Sequence, residues 1–224
     1  MDGKVFVGGG GSESDEAHLW DELFEDGQRV TIWPFAQPRT RWPAVERWLT
    51  SALMPRGDFH VETAPETVEG LKSALRDAEV LAIPGGNTFD LLAYLRRHDL
   101  LTAMSSFLAQ GGHLYGGSAG AIVFGADISI AELMDDNAVG IKDTRGADLL
   151  SGCVVYPHFS SRHEAIARQW AVTHGVTVLG VAETAGLVVQ NATARNAGPG
   201  SIQVFHARSQ RNYEAGSSWS LSEP

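Results

Sequence analysis

Apolar residues along the chain follow two rhythms. Short β-rich runs occupy residues 4–7, 29–34, 59–62, 79–83, 113–116, 153–156 and 176–181. Between them lie longer stretches, 14–26, 42–54, 67–76, 88–97, 100–109 and 161–174, whose apolar side chains recur at the three- and four-residue intervals of a helix face. Ser12 or Ser14 is placed to cap the first helix, with Asp15 and Glu16 favourable in its first turn. Strands that end in glycine and pass into helices predict an α/β fold, with a mostly parallel sheet joined by crossover helices.

Residues 127–150 break the rhythm with Asp135-Asp136-Asn137, Lys142-Asp143 and Arg145-Gly146, and are expected to form an irregular excursion over one sheet edge. Hairpin-like strands follow at 187–190 and 202–205. The pattern predicts one catalytic α/β domain over residues 1–208 and a polar C-terminal tail, 209–224, expected to fray.

Composition narrows the function classes. The 224 residues are 43% hydrophobic and 20% charged, enough to bury a sizeable core. A formal net charge of −10 without a Lys/Arg cluster argues against a phosphate-tracking surface, so no nucleic-acid partner is expected. The start Met1-Asp2-Gly3-Lys4 passes straight into Val5-Phe6-Val7, unlike an ordinary signal peptide, and no apolar run reaches the ~20 residues of a membrane span. With Cys153 as the single cysteine, neither an internal disulfide nor a Cys-rich metal site can form, and a cytoplasmic, reducing setting is expected. Association into a homo-oligomer is compatible with this composition.

The chemistry starts at Ser118, in Gly116-Gly117-Ser118-Ala119-Gly120 between a predicted strand and the apolar helix start Ala121-Ile122-Val123. A nucleophile on a sharp strand-turn-helix bend needs small neighbours, because the backbone approaches itself closely there. The Ala119 N–H at the helix start can stabilise an oxyanion. A second glycine turn, Pro84-Gly85-Gly86-Asn87-Thr88, again follows a strand, so Gly86 N–H is a candidate second donor, with Asn87 and Thr88 capping the next helix beside the substrate. A phosphate loop is the rival reading, but the P-loop lysine and the dinucleotide spacing are both absent, there and at Gly8 to Gly11. A serine needs a base, and His158, at a strand's C-terminal end in Tyr156-Pro157-His158-Phe159, is expected on the same rim.

Pro84-Gly85-Gly86-Asn87-Thr88-Phe89, Gly117-Ser118-Ala119-Gly120-Ala121, Pro157-His158-Phe159 and the later Glu183 together, in this order, resemble the peptidase S51 family of aspartyl dipeptidases and, more distantly, cyanophycinases. The resemblance covers residues 5–205. It implies a three-layer α/β/α fold of the class I glutamine amidotransferase type, with Ser118 as nucleophile, His158 as general base, and Gly86 and Ala119 as oxyanion donors. It implies Glu183 as the acid behind His158, with Asp135 or Asp136 as alternatives and Glu132 behind them. Arg162 stands 21 residues before Glu183, a spacing similar to that of the family's arginine for an acidic substrate side chain. A guanidinium grips a carboxylate with two parallel hydrogen bonds.

The expected activity is therefore serine-type hydrolysis of short acidic peptides, dipeptides with an N-terminal aspartate foremost, with neither metal nor cofactor. A related amide or ester hydrolase, or a catalytically silent ligand-binding protein, is the alternative. Cys153, in the strand before His158, reads as core.

Overall fold

A computed structural model describes residues 3–222 of the chain, except for the side chain of Val68. In chain order its elements are β1 (Val5–Gly8), α1 (Ala17–Leu23), β2 (Arg29–Ile32), α2 (Trp42–Leu53), β3 (His60–Thr63), α3 (Val68–Asp77), β4 (Val80–Ile83), α4 (Thr88–Arg97) and α5 (Leu100–Ala109). They continue with β5 (His113–Gly117), α6 (Ala119–Phe124), β6 (Val154–Tyr156), α7 (Glu164–His174), β7 (Val178–Val181), β8 (Gly186–Gln190) and β9 (Thr193–Asn196), then β10 (Ile202–Phe205), β11 (Gln210–Tyr213) and β12 (Ser218–Ser220).

The central sheet has eight strands in the order β12-β9-β8-β1-β5-β4-β2-β3. From β3 to β1 every pairing is parallel, as the crossover pattern predicted. Beyond β1 the sheet turns antiparallel, through β8, β9 and β12. A second sheet, β11-β10-β7-β6, contains the parallel pair β6 and β7.

Strand alternation explains the layers. Val5 and Val7 of β1, Leu81 and Ile83 of β4 and Leu114 of β5 join one apolar cluster with Leu92 of α4, Met104 of α5, Ile122 of α6 and Ala167 of α7. Phe6, Val80, Ala82 and Tyr115, one residue out of phase, join Leu19, Trp20 and Leu23 of α1 and Leu49 and Leu53 of α2 on the opposite face. The result is a sheet flanked by helices on both sides. Each fully buried Leu, Val or Phe here contributes about 1.5–3 kcal/mol relative to exposure.

Two expectations are corrected. Residues 209–222 do not fray: β11 pairs with β10 and β12 with β9, while the last two residues of the expected tail lie outside those described. Tyr213 and Trp219 stack with ring centroids 3.9 Å apart, an apolar contact that holds this otherwise polar segment onto the sheets. The first helix is Ala17–Leu23 rather than 14–26, because Ser12 and Asp15 close a turn of their own: the Ser12 N–H donates to Asp15 Oδ2 at 2.9 Å and the Asp15 N–H to Ser12 Oγ at 3.3 Å. The excursion at 127–150 is tied to α4, where the Arg96 guanidinium donates to the carbonyl oxygens of Asp143 and Arg145. Among the described residues no helix is long and apolar enough to cross a membrane.

Candidate active site

The parallel strands set the site. β5 and β4 are neighbours in parallel register, Ile83 opposite Gly116, so the turns after them open at one sheet edge. Ser118, between β5 and α6, has φ 51° and ψ −108°. For a non-glycine residue such a backbone costs on the order of 1–3 kcal/mol and persists only where its surroundings enforce it. Enforcement comes from close packing on both sides of the turn, and Gly116, Gly117, Ala119 and Gly120 are all buried. The turn lifts the Ser118 hydroxyl off the strand end, and Ser118 Oγ lies 3.0 Å from His158 Nε2.

His158 is held by backbone. Its N–H donates to the Gly9 carbonyl at 2.7 Å, and the Phe159 N–H donates to Val181 O at 3.1 Å. The residue itself has φ 52°, a second non-glycine position in the left-handed region. The other ring nitrogen, Nδ1, lies 2.8 Å from Glu183 Oε1. Glu183 follows β7, the parallel partner of β6, and this pairing brings two strand ends 25 residues apart to one point. The imidazole and carboxylate side chains are 39% and 53% exposed, so their attraction adds little to stability, roughly 0–1 kcal/mol. Its consequence is orientation: a carboxylate on Nδ1 holds the proton there and leaves Nε2 free to accept from Ser118 Oγ.

The structure separates the alternative acids from the histidine. Asp135 Oδ2 accepts from the Thr88 N–H at 2.9 Å and from Thr88 Oγ1 at 2.6 Å, at the start of α4. Asp136 is exposed, and its backbone carbonyl accepts from Asn87 Nδ2 at 2.9 Å. Glu132 is exposed within a 3-10 turn, Ser129–Leu133. Asn87 caps α4, its Oδ1 accepting from the Asp90 N–H at 3.0 Å, so both ends of its amide are engaged within the protein. A capping side chain of this kind contributes about 1 kcal/mol.

Gly86 has φ 149°, and a Cβ there would lie 2.1 Å from the Ala36 carbonyl oxygen, so only glycine fits this turn. Ala119 is the first residue of α6, a position whose N–H has no acceptor within the helix. Arg162 is exposed in the 3-10 turn Ser161–His163 that leads into α7, and its Nε donates to His163 Nε2 at 3.1 Å. Burial, with smaller contributions from the Arg162 and His158 charges, holds the His163 imidazole below its ordinary value. Arg162 makes no ion pair among the described residues.

Sequence reasoning passed over two features. Gly8 to Gly11 is the bed of His158: Gly10 has φ 89°, and a Cβ there would stand 2.5 Å from the imidazole and 3.0 Å from Ser118 Cβ. Under this loop lies Glu16, only 2% exposed. Its carboxylate accepts from the Gly10 N–H at 2.8 Å, Tyr115 Oη at 2.6 Å and Trp20 Nε1 at 3.2 Å. Burial raises the Glu16 carboxyl above its ordinary value, an effect these donors partly offset. The available signal was the glycine run itself, since four glycines without a phosphate loop's lysine imply close packing.

A parallel sheet with a strained serine beside a histidine and carboxylate defines a hydrolase-like α/β protein. Residues 5–197 match Peptidase family S51, and the chain belongs to that family, which makes it a peptidase-type hydrolase. It is 28% identical over 194 residues to Peptidase E of Citrobacter koseri, covering 81% of this chain and 82% of that protein. It is 27% identical over 194 residues to Peptidase E of Shigella flexneri serotype 5b, with the same coverage of 81% and 82%. The crystal structure of a peptidase from an acI-B1 Actinobacterium superposes with a TM-score of 0.76 at 20% identity, covering 98% of this chain and 97% of that one, a likeness of fold.

Proposed function

We propose that the chain is a serine peptidase that hydrolyses dipeptides with an acidic first residue, using Ser118, His158 and Glu183 as its triad. The observation that carries this reading is the relay from Ser118 Oγ to His158 Nε2 at 3.0 Å and from His158 Nδ1 to Glu183 at 2.8 Å. Ser118 Oγ attacks the carbonyl carbon of the first residue as its proton passes to His158 Nε2. The N–H groups of Gly86 and Ala119 receive the oxyanion. The intermediate collapses with breakage of the C–N bond, the leaving amine taking the proton from His158. Water then gives its proton to His158 and attacks the ester, and Ser118 leaves with that proton, releasing the free acid.

Arg162 is assigned the substrate's acidic side chain. Its hydrogen bond to His163 uses Nε, which leaves the two terminal nitrogens for a carboxylate. Asn87 is assigned to the substrate rim through the turn it caps. In a panel of Asp-Leu, Glu-Leu, β-Asp-Leu and Ala-Leu, combined with a serine-directed covalent probe, we expect Ser118 labelling and fastest turnover of Asp-Leu. Labelling with turnover of Ala-Leu equal to Asp-Leu would move the reading to a related amide hydrolase. Neither labelling nor turnover would leave a ligand-binding protein.

A further inference from the structure

The relay accounts for the reacting carbonyl and Arg162 for one side of it; a hollow on the α2 side of Ser118 has no assignment. It is an open depression of about 390 Å³, within the size range of small-molecule sites, lined by Gln37, Arg41, Ala44, Val45, Trp48, Pro84 and Gly85. Gly85 joins it to the nucleophile. A Cβ on Gly85 would stand 3.1 Å from Ser118 Cβ and 3.6 Å from Ser118 Oγ, so this lining residue packs directly against the serine and a side chain there would crowd it. Gln37 fixes that floor, its Nε2 donating to the Gly85 carbonyl at 2.8 Å. On the far wall Trp48 is 38% exposed, one of the few large apolar side chains so open, and its Nε1 lies 3.4 Å from Glu13 Oε2, on the loop that follows the bed of His158. Arg41 is the single charged lining residue, and it makes no ion pair among the described residues.

Apolar walls, one unpaired guanidinium and a floor residue that borders the nucleophile fit a ligand that is both apolar and anionic. We propose that this hollow receives the second residue of the dipeptide, its apolar side chain against Ala44, Val45 and Trp48 and its free C-terminal carboxylate on Arg41. The substrate class is thereby narrowed to short peptides ending in an apolar residue with a free carboxylate. This rests on the reading of Ser118 as the nucleophile.

The test compares kcat/KM for Asp-Leu, Asp-Gly and Asp-Leu amide in the wild-type protein, Trp48→Ala and Arg41→Gln. Burying one leucine side chain corresponds to roughly a tenfold or greater preference, so Asp-Leu should exceed Asp-Gly by about that factor. The amide should be about tenfold poorer than the acid, through KM. Trp48→Ala should collapse the Leu-to-Gly ratio, and Arg41→Gln the acid-to-amide ratio, each ratio being taken within one variant so that altered folding cancels. Unchanged ratios in both variants, with Asp-Gly still hydrolysed, would overturn the subsite and leave the peptidase reading standing. Loss of all turnover in the wild-type protein would overturn both.

Discussion

Glu183 Oε1 lies 2.8 Å from His158 Nδ1, the ring nitrogen opposite the one that faces Ser118, while Asp135, nearer the serine in sequence, binds Thr88 at the start of α4. The two acids therefore have different partners, one an imidazole ring and the other the first residue of a helix. Glu183→Gln should reduce kcat by roughly 10²–10⁴ with little effect on KM, because an amide cannot hold the imidazole in the same tautomer with the same charge. Asp135→Asn should leave more activity and instead lower the thermal midpoint, through the weakened Thr88 contacts. Steady-state kinetics and thermal unfolding of both variants check this, and equal losses of kcat would contradict the division of roles.

Arg162→Ala should raise KM for Asp-Leu by roughly tenfold or more, as expected when a charge-assisted contact worth about 1.5–3 kcal/mol is lost, and should leave Ala-Leu nearly unchanged. A parallel decline of both substrates would place Arg162 outside the acidic pocket.

Glu16 links stability to pH with a definite sign. Its carboxyl is raised from an ordinary 4.5, chiefly by burial, so the folded chain holds this proton more tightly than the unfolded one. That contribution is complete below the unfolded value and is lost as pH rises through the folded one. Glu16→Gln cannot titrate, so the stability advantage of the wild-type protein over it should shrink as pH rises from about 4.5 towards neutrality. The variant should also lose on the order of 1–3 kcal/mol, since its amide N–H₂ must stand either where Oε1 accepts from the Gly10 N–H or where Oε2 accepts from Tyr115 Oη and Trp20 Nε1. Urea unfolding across this pH range measures both effects, and a pH-independent gap would refute the linkage.

Cys153 is 1% exposed, and burial pushes its thiol up to about 12. A neutral, enclosed thiol is a poor nucleophile. A disulfide reagent at about pH 8 should label the native protein only slowly and the urea-unfolded protein completely. Rapid stoichiometric labelling of the native chain would contradict its place in the core.

How far the sequence disclosed this arrangement follows from the forces involved. Helices 88–97 and 100–109 were legible to the residue, since Asn87 caps the first and Gly111 follows the end of the second. The positions of Ser118 and His158 just beyond strand ends were legible, the first from its glycine turn and the second from the end of the apolar run 153–156. The meeting of Glu183 with His158 depends on β6 and β7 being neighbours, a long-range pairing that local pattern does not encode. For the same reason the first helix is shorter than its pattern predicts: the Ser12–Asp15 turn and the buried Glu16 answer to a loop over His158, and not to helix propensity. β11 and β12 carry no strand signal in the sequence because their residues are polar and partly exposed, and pairing with β10 and β9 orders them.

Whether Ser118 is an activated nucleophile is decided by Ser118→Ala with Asp-Leu as substrate. The variant should fold with an unchanged thermal midpoint and bind Asp-Leu with an affinity near that of the wild-type protein, while kcat falls by several orders of magnitude. Turnover at the wild-type rate in purified Ser118→Ala would contradict the assignment of the nucleophile.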